Sequence, residues 1–306
     1  MAAKKAKKLT PMMDQYQTMR RSLPEDVVLF FRLGDFYEMF FEDAIRTAEV
    51  LNVALTKRHD VPMCGVPHHA GQGYIAKLVK AGIRVAIAEQ TSVPQAGKLV
   101  EREISQIISA GTVNDVNLLD DTQHNYIAAV YQSGKVFGLA CADHTTGEFT
   151  VAEFNDRAQL DDELHRLRPS ELVYADDQDA FESIDHALSY DSYAFLYDQA
   201  RHQLCEHFKV KALDGFGCQE MEAAISAAGG ILHYLSFQLR RSCDHLRSLK
   251  VREAKDYVLI DTSSQRNLDL VESRSGKKHT LLVVLDRTAT PMGARKLRDW
   301  ILHPLK

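Results

Sequence analysis

The sequence lacks the marks of a membrane-spanning or secreted protein. Its purely aliphatic or aromatic runs, such as Val27–Phe31 and Leu281–Leu285, fall far short of the roughly 20 apolar residues that a membrane-spanning helix needs. The basic start, Lys4–Lys8, is not followed by the apolar stretch of a secretory signal. Cysteines are few: five, an odd number spread along the chain, which fits a reducing compartment and not a disulfide framework. We therefore expect a cytoplasmic protein without a membrane segment.

Motifs for phosphate and metal chemistry are also missing. None of the Gly-Lys pairs has a glycine five residues earlier, so the sequence contains no Gly-x-x-x-x-Gly-Lys-Ser/Thr phosphate loop. Cys64 lies near His68 and His69, but no second pair of ligands follows at zinc-finger spacing. Neither nucleotide hydrolysis nor a metal site is therefore expected in these 306 residues.

What the sequence does contain is the composition of a globular protein, with 45% apolar and 26% charged residues. The length predicts two folded units and part of a third. Residues 1–125 carry 15 basic and 15 acidic side chains (net 0), residues 126–250 carry 11 and 20 (net −9), and residues 251–306 carry 11 and 7 (net +4). The middle block should repel a polyanion, whereas the basic N-terminal stretch could contact phosphates or simply be a solvated tail.

The first block predicts a small mixed α/β domain. A helix should begin at Pro11 and end near Pro24, and the β-branched and aromatic run Val27–Leu33 predicts a buried strand closed by a turn at Gly34. A second helix should follow, with an apolar face at helical spacing formed by Phe41, Ala44, Ile45 and Ala48. Further elements predicted here are strands over 53–57, 84–89 and 104–109 and a helix over 70–80.

The second block, residues 126–250, predicts another α/β unit. Three strands joined by short hairpin turns come first, and a helix, a strand and a helix follow; they are expected over 126–131, 136–141, 148–154, 159–167, 171–174 and 199–208. Helical periodicity over 221–249 predicts a long exit helix that leads away from this unit. The third block, 251–306, ends in an amphipathic stretch without an evident partner, which suggests that the polypeptide continues beyond Lys306 or that these residues pack back on the chain; we favour a fragment.

Phe36 and Glu38 are the most informative pair in the first block. Two residues apart, their side chains share a side only if the backbone is extended. A core aromatic residue beside an acid that opens a helix is the more usual arrangement, so the residues alone favour packing over ligand reading. Lys57 and Arg58 end a predicted strand and are candidates for phosphate contacts, with a solvated surface as the alternative.

Two other functions stay open on the residues alone. Acidic side chains that a metal-dependent structure-specific nuclease could use cluster at Asp35, Glu38, Glu42 and Asp43, although acids at a helix start are more often partners of the helix dipole. A protein-interaction module is the second alternative, with the acidic middle block as its docking surface.

Five segments in order resemble the MutS family of bacterial DNA mismatch-repair proteins. They are Thr10–Tyr16, Arg32–Phe40, Leu55–Arg58, Pro62–Ala70 and Ala86–Gln90. The likeness continues through Gly111-Thr-Val, Asn125-Tyr, Arg266–Leu270 and Leu281–Leu302, and so covers essentially the whole chain.

The resemblance implies an architecture and a set of partners. It implies a mismatch-recognition domain over 1–125, a ribonuclease H-like connector over 126–250 and the truncated start of the core and lever domain over 251–306. The ligand would be double-stranded DNA with mispairs or small loops. No enzyme activity or cofactor is expected within this chain: ATP hydrolysis with Mg²⁺ and the homodimer interface of the family would lie beyond Lys306. A MutL-type repair partner and association with the nucleoid are implied as well.

Two DNA-binding residues follow from the matched positions. Phe36 resembles the family's residue that stacks on a mispaired base from the minor groove, and Glu38 the residue that hydrogen-bonds it. Lys57 and Arg58, at the end of a strand in the same domain, are added as candidates for phosphate contacts. No catalytic or metal-binding residue is expected.

Overall fold

The structure, a computed structural model, describes residues 10–92, 99–113, 122–184, 187–252, 257–258, 260–273, 275–276 and 279–306. The chain divides into two compact units, one formed by Met1–Asp115 with Leu239–Arg241 and the other by Val116–Gln238 with Ser242–Lys306. Each unit is built on its own six-stranded sheet. Within the described ranges, no helix combines the length and the apolar character needed to span a bilayer.

The first unit is a mixed sheet covered by helices. In chain order its elements are α1 (Pro11–Arg21), β1 (Val27–Leu33), β2 (Phe36–Phe40), α2 (Phe41–Leu51), β3 (Thr56–Arg58), β4 (Val61–Pro67), α3 (Gly71–Lys80), β5 (Arg84–Gln90) and β6 (Arg102–Ile108). The strand order is β3-β4-β2-β1-β5-β6, with β1 and β5 parallel and the other pairs antiparallel. The predicted mixed α/β class is confirmed, and β2 and β4 are strands that the sequence prediction missed.

Helices lie on both faces of this sheet. On one face, the Tyr16 ring of α1 packs edge-on against Phe31 and Phe40, with ring centroids 5.4 and 5.1 Å apart. On the other face, Thr47 of α2 lies with its Oγ1 atom 3.3 Å from Sγ of Cys64 in β4. Because side chains alternate along a strand, Phe36, Glu38 and Phe40 of β2 share the α1 face of the sheet.

The predicted core face of α2 is wrong at Ile45, whose side chain is exposed. The buried face consists of Asp43, Ala44, Thr47, Ala48 and Leu51. Two of these residues are polar, and their hydrogen bonds to other buried groups make their burial possible. The prediction from apolar spacing is therefore correct for Ala44 and Ala48 but places the edge of the buried stripe at Ile45 and misses the polar Asp43 and Thr47.

A short segment from late in the chain covers the β6 edge of the first sheet. The Ile107 N–H of β6 donates to the Leu239 carbonyl over 2.9 Å, and Arg240 donates to the Ile104 carbonyl over 2.5 Å. Arg241 donates to the Gln106 side chain. The edge strand thus finds hydrogen-bond partners in residues 239–241.

The second unit has the topology expected for a ribonuclease H-like fold. Its elements are β7 (Tyr126–Ser133), β8 (Val136–Asp143), β9 (Glu148–Phe154), α4 (Arg157–Leu167), β10 (Glu171–Ala175), β11 (Ala187–Tyr190), α5 (Tyr197–Phe208), α6 (Glu222–His233), β12 (Lys250–Val251), α7 (Thr262–Asn267), α8 (Leu281–Leu285) and α9 (Pro291–Leu302). The strand order is β11-β10-β7-β8-β9-β12. Strands β7, β8 and β9 form an antiparallel meander, and β10 and β11 continue the sheet in parallel from β7.

The predicted long exit helix is wrong. Helix α6 ends at His233, a π-helical turn covers Tyr234–Gln238, and the chain reaches β12 without further helix. Helix α6 is buried on nearly every side and lies directly on the sheet: a Cβ atom on Gly138 of β8 would come within 2.1 Å of the Ala223 backbone. The long apolar pattern reflects burial inside the unit and not a connector that leaves it.

Residues 251–306, predicted as the start of a separate domain, belong to the same compact unit as the second block. Arg252 forms an ion pair with Glu148 over 3.1 Å. His303 lies between Glu163 and Asp299, with N···O distances of 3.3 and 3.0 Å. Met292 and Trp300 of α9 are exposed, in keeping with the apolar surface that the sequence predicts for this stretch.

Candidate nucleic-acid interface

Phe36 lies at the exposed end of the hairpin formed by β1 and β2. The hairpin turns through Gly34, which takes a left-handed conformation (φ +57°) that glycine adopts without strain, and Leu33 pairs with Phe36 directly after the turn. The His68 N–H donates to the Asp35 carbonyl over 2.8 Å and ties the turn to the end of β4. The Phe36 side chain is 47% exposed, so its ring is available to a ligand.

Glu38 follows on the same face of β2 and is half-buried. It is paired with Phe31 of β1 on one side and with Gly65 of β4 on the other. Its Oε2 atom accepts a hydrogen bond from Nη1 of Arg58 over 2.9 Å. Only 14% of the Glu38 side chain is exposed, against 42% for Arg58. The structure therefore joins two of the four predicted DNA-binding residues in one ion pair.

Burial raises the pKa of the Glu38 carboxyl above its ordinary value, although the charges of Arg58 and Arg102 act in the opposite direction. A carboxylate in this position is costly to desolvate unless a cation compensates its charge. Both the protonation of Glu38 and its ion pair therefore depend on the charged groups close to it.

Arg102 is a second cation for Glu38 that the sequence prediction missed. Its side chain is buried, and its Cζ atom lies 4.7 Å from the centre of the Phe31 ring. It donates hydrogen bonds to the Arg32 and Val100 carbonyls over 2.6 and 2.8 Å and to Gln15 over 3.0 Å. A charged residue that opens a strand carries no signal of burial in the sequence, because its acceptors come from distant segments.

Lys57 and Arg58 do not form one basic patch. Neighbouring residues of a strand point to opposite faces, and in β3 Lys57 pairs with Pro62 while Arg58 pairs with Val61. Arg58 reaches Glu38 on the α1 face of the sheet, and Lys57 is exposed on the other face. The two side chains therefore have different surroundings, although they are adjacent in sequence.

The predicted acidic cluster is dispersed. Asp43 is buried and accepts hydrogen bonds from Tyr16 Oη over 2.8 Å, from Arg20 Nε over 3.0 Å and from the Leu29 N–H over 3.1 Å. Asp35 and Glu42 are exposed, apart from it. Across the described residues, no group of three or more His, Cys, Asp or Glu side chains could hold a metal ion. Asp43 is thus a structural carboxylate, which removes the geometric basis for a nuclease at this site.

Cys64 and His68 have packing contacts as well. The Cys64 thiol is buried beside Thr47, and burial raises its pKa. The His68 ring lies 5.1 Å from the Tyr37 ring, centre to centre. These contacts describe packing around the hairpin.

In the second unit, Asp143 at the end of β8 is held by several hydrogen bonds. Asp143 accepts hydrogen bonds from His124 Nδ1 over 2.8 Å and from Thr145 through both its N–H (2.9 Å) and its hydroxyl (2.6 Å). Burial opposes ionisation of Asp143, but the hydrogen bonds from His124 and Thr145 outweigh it and lower the pKa to about 2. The likeness to the ribonuclease H fold lies in the strand order, and a fold alone does not establish a function.

Three family models match the chain in succession: MutS domain I over residues 10–117, MutS domain II over 125–247 and MutS domain III over 263–306. A DNA mismatch repair protein MutS from Protochlamydia amoebophila is 42% identical in an alignment 311 residues long, gaps included, that covers 97% of this chain and 36% of that protein. A DNA mismatch repair protein MutS from Syntrophobacter fumaroxidans is 41% identical over 315 residues, covering 97% and 35%. The chain thus spans about a third of the length of the curated relatives it matches.

Proposed function

This chain belongs to the MutS family, and we propose that its first unit binds double-stranded DNA that carries mispairs or small unpaired loops. The observation that carries the proposal is the exposed Phe36 ring at a hairpin end, with Glu38 on the same face of the strand.

Phe36 acts as a wedge in this proposal. An apolar side chain inserted from the minor groove unstacks a base step and kinks the duplex at a cost of a few kcal/mol, and a step with failed pairing resists this deformation less than a sound one. Stacking of a base on an aromatic ring contributes about 1 to 3 kcal/mol and tolerates every base. A protein that recognises many different mispairs needs an interaction that does not depend on which base is mispaired.

Glu38 supplies discrimination. A carboxylate close to phosphates disfavours every complex, and this penalty is offset only where a mispaired base offers a hydrogen bond. The half-buried position of Glu38 supports this role, because a buried carboxyl loses more when it is left without a partner.

Arg58 and Lys57 contact phosphates in this proposal and so position the duplex without reading its sequence. Both side chains are long and at least partly exposed. Because the two side chains lie on opposite faces of the sheet, they would contact different parts of a DNA backbone that passes around the β3 edge.

The activities of the whole family member extend the proposal. We infer that ATP with Mg²⁺ is bound and hydrolysed by a part of such proteins that this chain does not match, since no phosphate-loop motif occurs in the 306 residues. Homodimerisation, a MutL-type partner and a cytoplasmic site at the nucleoid belong to the same proposal.

A comparison of two duplexes tests the proposal. Fluorescence anisotropy with a labelled oligonucleotide duplex that contains one G·T mispair or one unpaired base should give a lower Kd than the fully paired duplex of the same length. Equal affinity for the two, or no binding to either at low salt, would overturn it. Incubation of supercoiled plasmid with Mg²⁺ or Mn²⁺ is the companion assay, and nicking would favour the nuclease alternative.

A further inference from the structure

Glu38 has a partner within the protein. Its carboxylate accepts the hydrogen bond from Arg58, a residue two strands away in the sheet order β3-β4-β2. Gly65, the β4 residue paired with Glu38, contributes no side chain to this face, and a Cβ atom there would lie 3.5 Å from Cγ of Glu38. The hydrogen bond is made to Oε2 of Glu38, so a base donor that binds this oxygen competes with the guanidinium of Arg58.

The two cations near Glu38 differ in burial and in the number of their partners. Arg102 is buried and donates hydrogen bonds to the carbonyls of Arg32 and Val100 and to the Gln15 side chain. The Arg58 side chain is 42% exposed and donates its hydrogen bond to Glu38 on the α1 face of the sheet. Breaking a partly exposed ion pair costs little compared with extracting a buried one. Arg58 is thus the cation that can leave, and Arg102 the one that stays.

We propose that Arg58 is a specificity-determining positioning residue: it neutralises Glu38 on paired DNA and gives the carboxylate up to the base at a mispair. This inference rests on the proposed function of the first unit. On paired DNA, where Phe36 opens no base step, Glu38 is not brought against a base, and the Arg58 pair shields its charge from the phosphates. At a mispair the base takes the place of Arg58, whose guanidinium becomes available to a phosphate.

The consequence is unusual for a basic residue at a DNA interface. A residue that only contacts phosphates adds equally to the binding of both duplexes. Arg58, as the counter-charge of Glu38, instead reduces the repulsion between the Glu38 carboxylate and the phosphates of paired DNA. Its removal should therefore weaken paired-DNA binding more than mispair binding and so raise selectivity.

A double-mutant cycle tests this with four forms of the chain: wild type, Arg58→Gln, Glu38→Gln and the double variant. Kd values for the mispaired and the fully paired duplex are measured by anisotropy at pH 8 and at several salt concentrations. Arg58→Gln should raise the ratio of paired to mispaired Kd by about 3- to 10-fold. In the Glu38→Gln background, the same substitution should leave that ratio within about 2-fold, because no carboxylate remains to be shielded.

Two further variants separate positioning from a general loss of charge or fold. Arg58→Lys keeps the cation and should return the ratio toward the wild-type value. Lys57→Gln removes a cation from the opposite face of the same strand and should weaken both duplexes alike, with the salt slope reduced by about 1.

The outcomes distinguish the inference from the function on which it rests. If the wild-type chain shows no mispair preference, the proposed function fails. If the preference is present but Arg58→Gln leaves the ratio unchanged or lowers it, or changes it equally in both backgrounds, Arg58 is a phosphate contact alone and this inference is overturned.

Discussion

Phe36 and Glu38 extend from the same face of strand β2, and the structure exposes the first while it shields the second. The ring at the hairpin end is nearly half exposed, whereas the carboxylate two residues further on is covered and paired with Arg58. Under the proposed function, the Phe36 ring would meet a base step directly, whereas a base that binds Oε2 of Glu38 would compete with Arg58. Their separate contributions can be measured.

Phe36→Ala should abolish the preference for mispaired DNA and leave weak, salt-sensitive binding. The reason is that base stacking on the ring, about 1 to 3 kcal/mol, contributes only to the mispaired complex and is lost with the ring. Gel-shift titrations with paired and mispaired duplexes measure the two affinities. Ile45→Ala is the matched control, since Ile45 is similarly exposed but lies on α2, on the other side of the sheet. An unchanged preference in Phe36→Ala would refute the wedge.

Glu38→Gln should tighten binding to fully paired duplex, because it removes the charge that disfavours every complex and keeps the shape of the side chain. The expected gain is several-fold, corresponding to about 1 kcal/mol. Glu42→Gln makes the same change of charge at an exposed position of α2 and controls for net charge. A fall in paired-duplex affinity for Glu38→Gln would contradict this role.

Asp43→Ala should destabilise the first unit by about 3 to 5 kcal/mol, because it leaves the Arg20 guanidinium, the Tyr16 hydroxyl and the Leu29 N–H without their shared acceptor. Hydrogen exchange of the β1 amides reports on this unit separately from the other. Glu42→Ala, one position earlier and exposed, should change exchange little. Protection in Asp43→Ala equal to that in Glu42→Ala would show that the carboxylate is not a structural centre.

The stability of the second unit should depend on the protonation of His303. Burial lowers the pKa of His303, but its hydrogen bonds to Asp299 and Glu163 outweigh burial and raise the pKa above the ordinary histidine value. A histidine whose pKa is higher in the folded than in the unfolded state stabilises fully below its unfolded pKa, about 6.5, and loses this contribution as the pH rises through the folded value. The pKa values of Asp299 and Glu163 are lowered, so both stay ionised in this window.

The difference in unfolding free energy between wild type and His303→Gln should therefore shrink between pH 6 and pH 9. Urea unfolding followed by the fluorescence of Trp300, the only tryptophan of the chain, measures it. His202→Gln, at an exposed position of α5, should show no such trend. A difference that grows with pH would have the wrong sign for this account.

The sequence was most informative where local pattern and tertiary packing agree. Val27–Leu33 is β-branched and aromatic, and the structure makes it a strand with these bounds. The hairpin strand Phe36–Phe40 was not predicted as a strand, because two aromatic residues and an acid before a helix look like the start of that helix. The chain changes from strand to helix at Phe41, whose backbone is left-handed (φ +55°). Because this conformation is usually marked in a sequence by glycine, and the residue here is phenylalanine, the change could not be predicted.

The sequence proposed four members of the candidate site but not the pairing of two of them. The resemblance named Phe36 and Glu38, and the strand end suggested Lys57 and Arg58, but the ion pair between Glu38 and Arg58 depends on the fold of three strands. The buried roles of Asp43 and Arg102 escaped prediction because composition places charged residues at the surface. Side chains that distant segments hold in place carry no local signature.

The hydrogen bonds of residues 239–241 make the first unit discontinuous in sequence. A truncation after residue 115 would keep every helix and strand described for that unit, but the Ile104 carbonyl would lose its donor and the Ile107 amide its acceptor. A bare β6 edge is a template for pairing with another copy. Anyone who wishes to isolate the first unit should therefore retain or graft the Leu239–Arg241 tripeptide, or expect self-association through that strand.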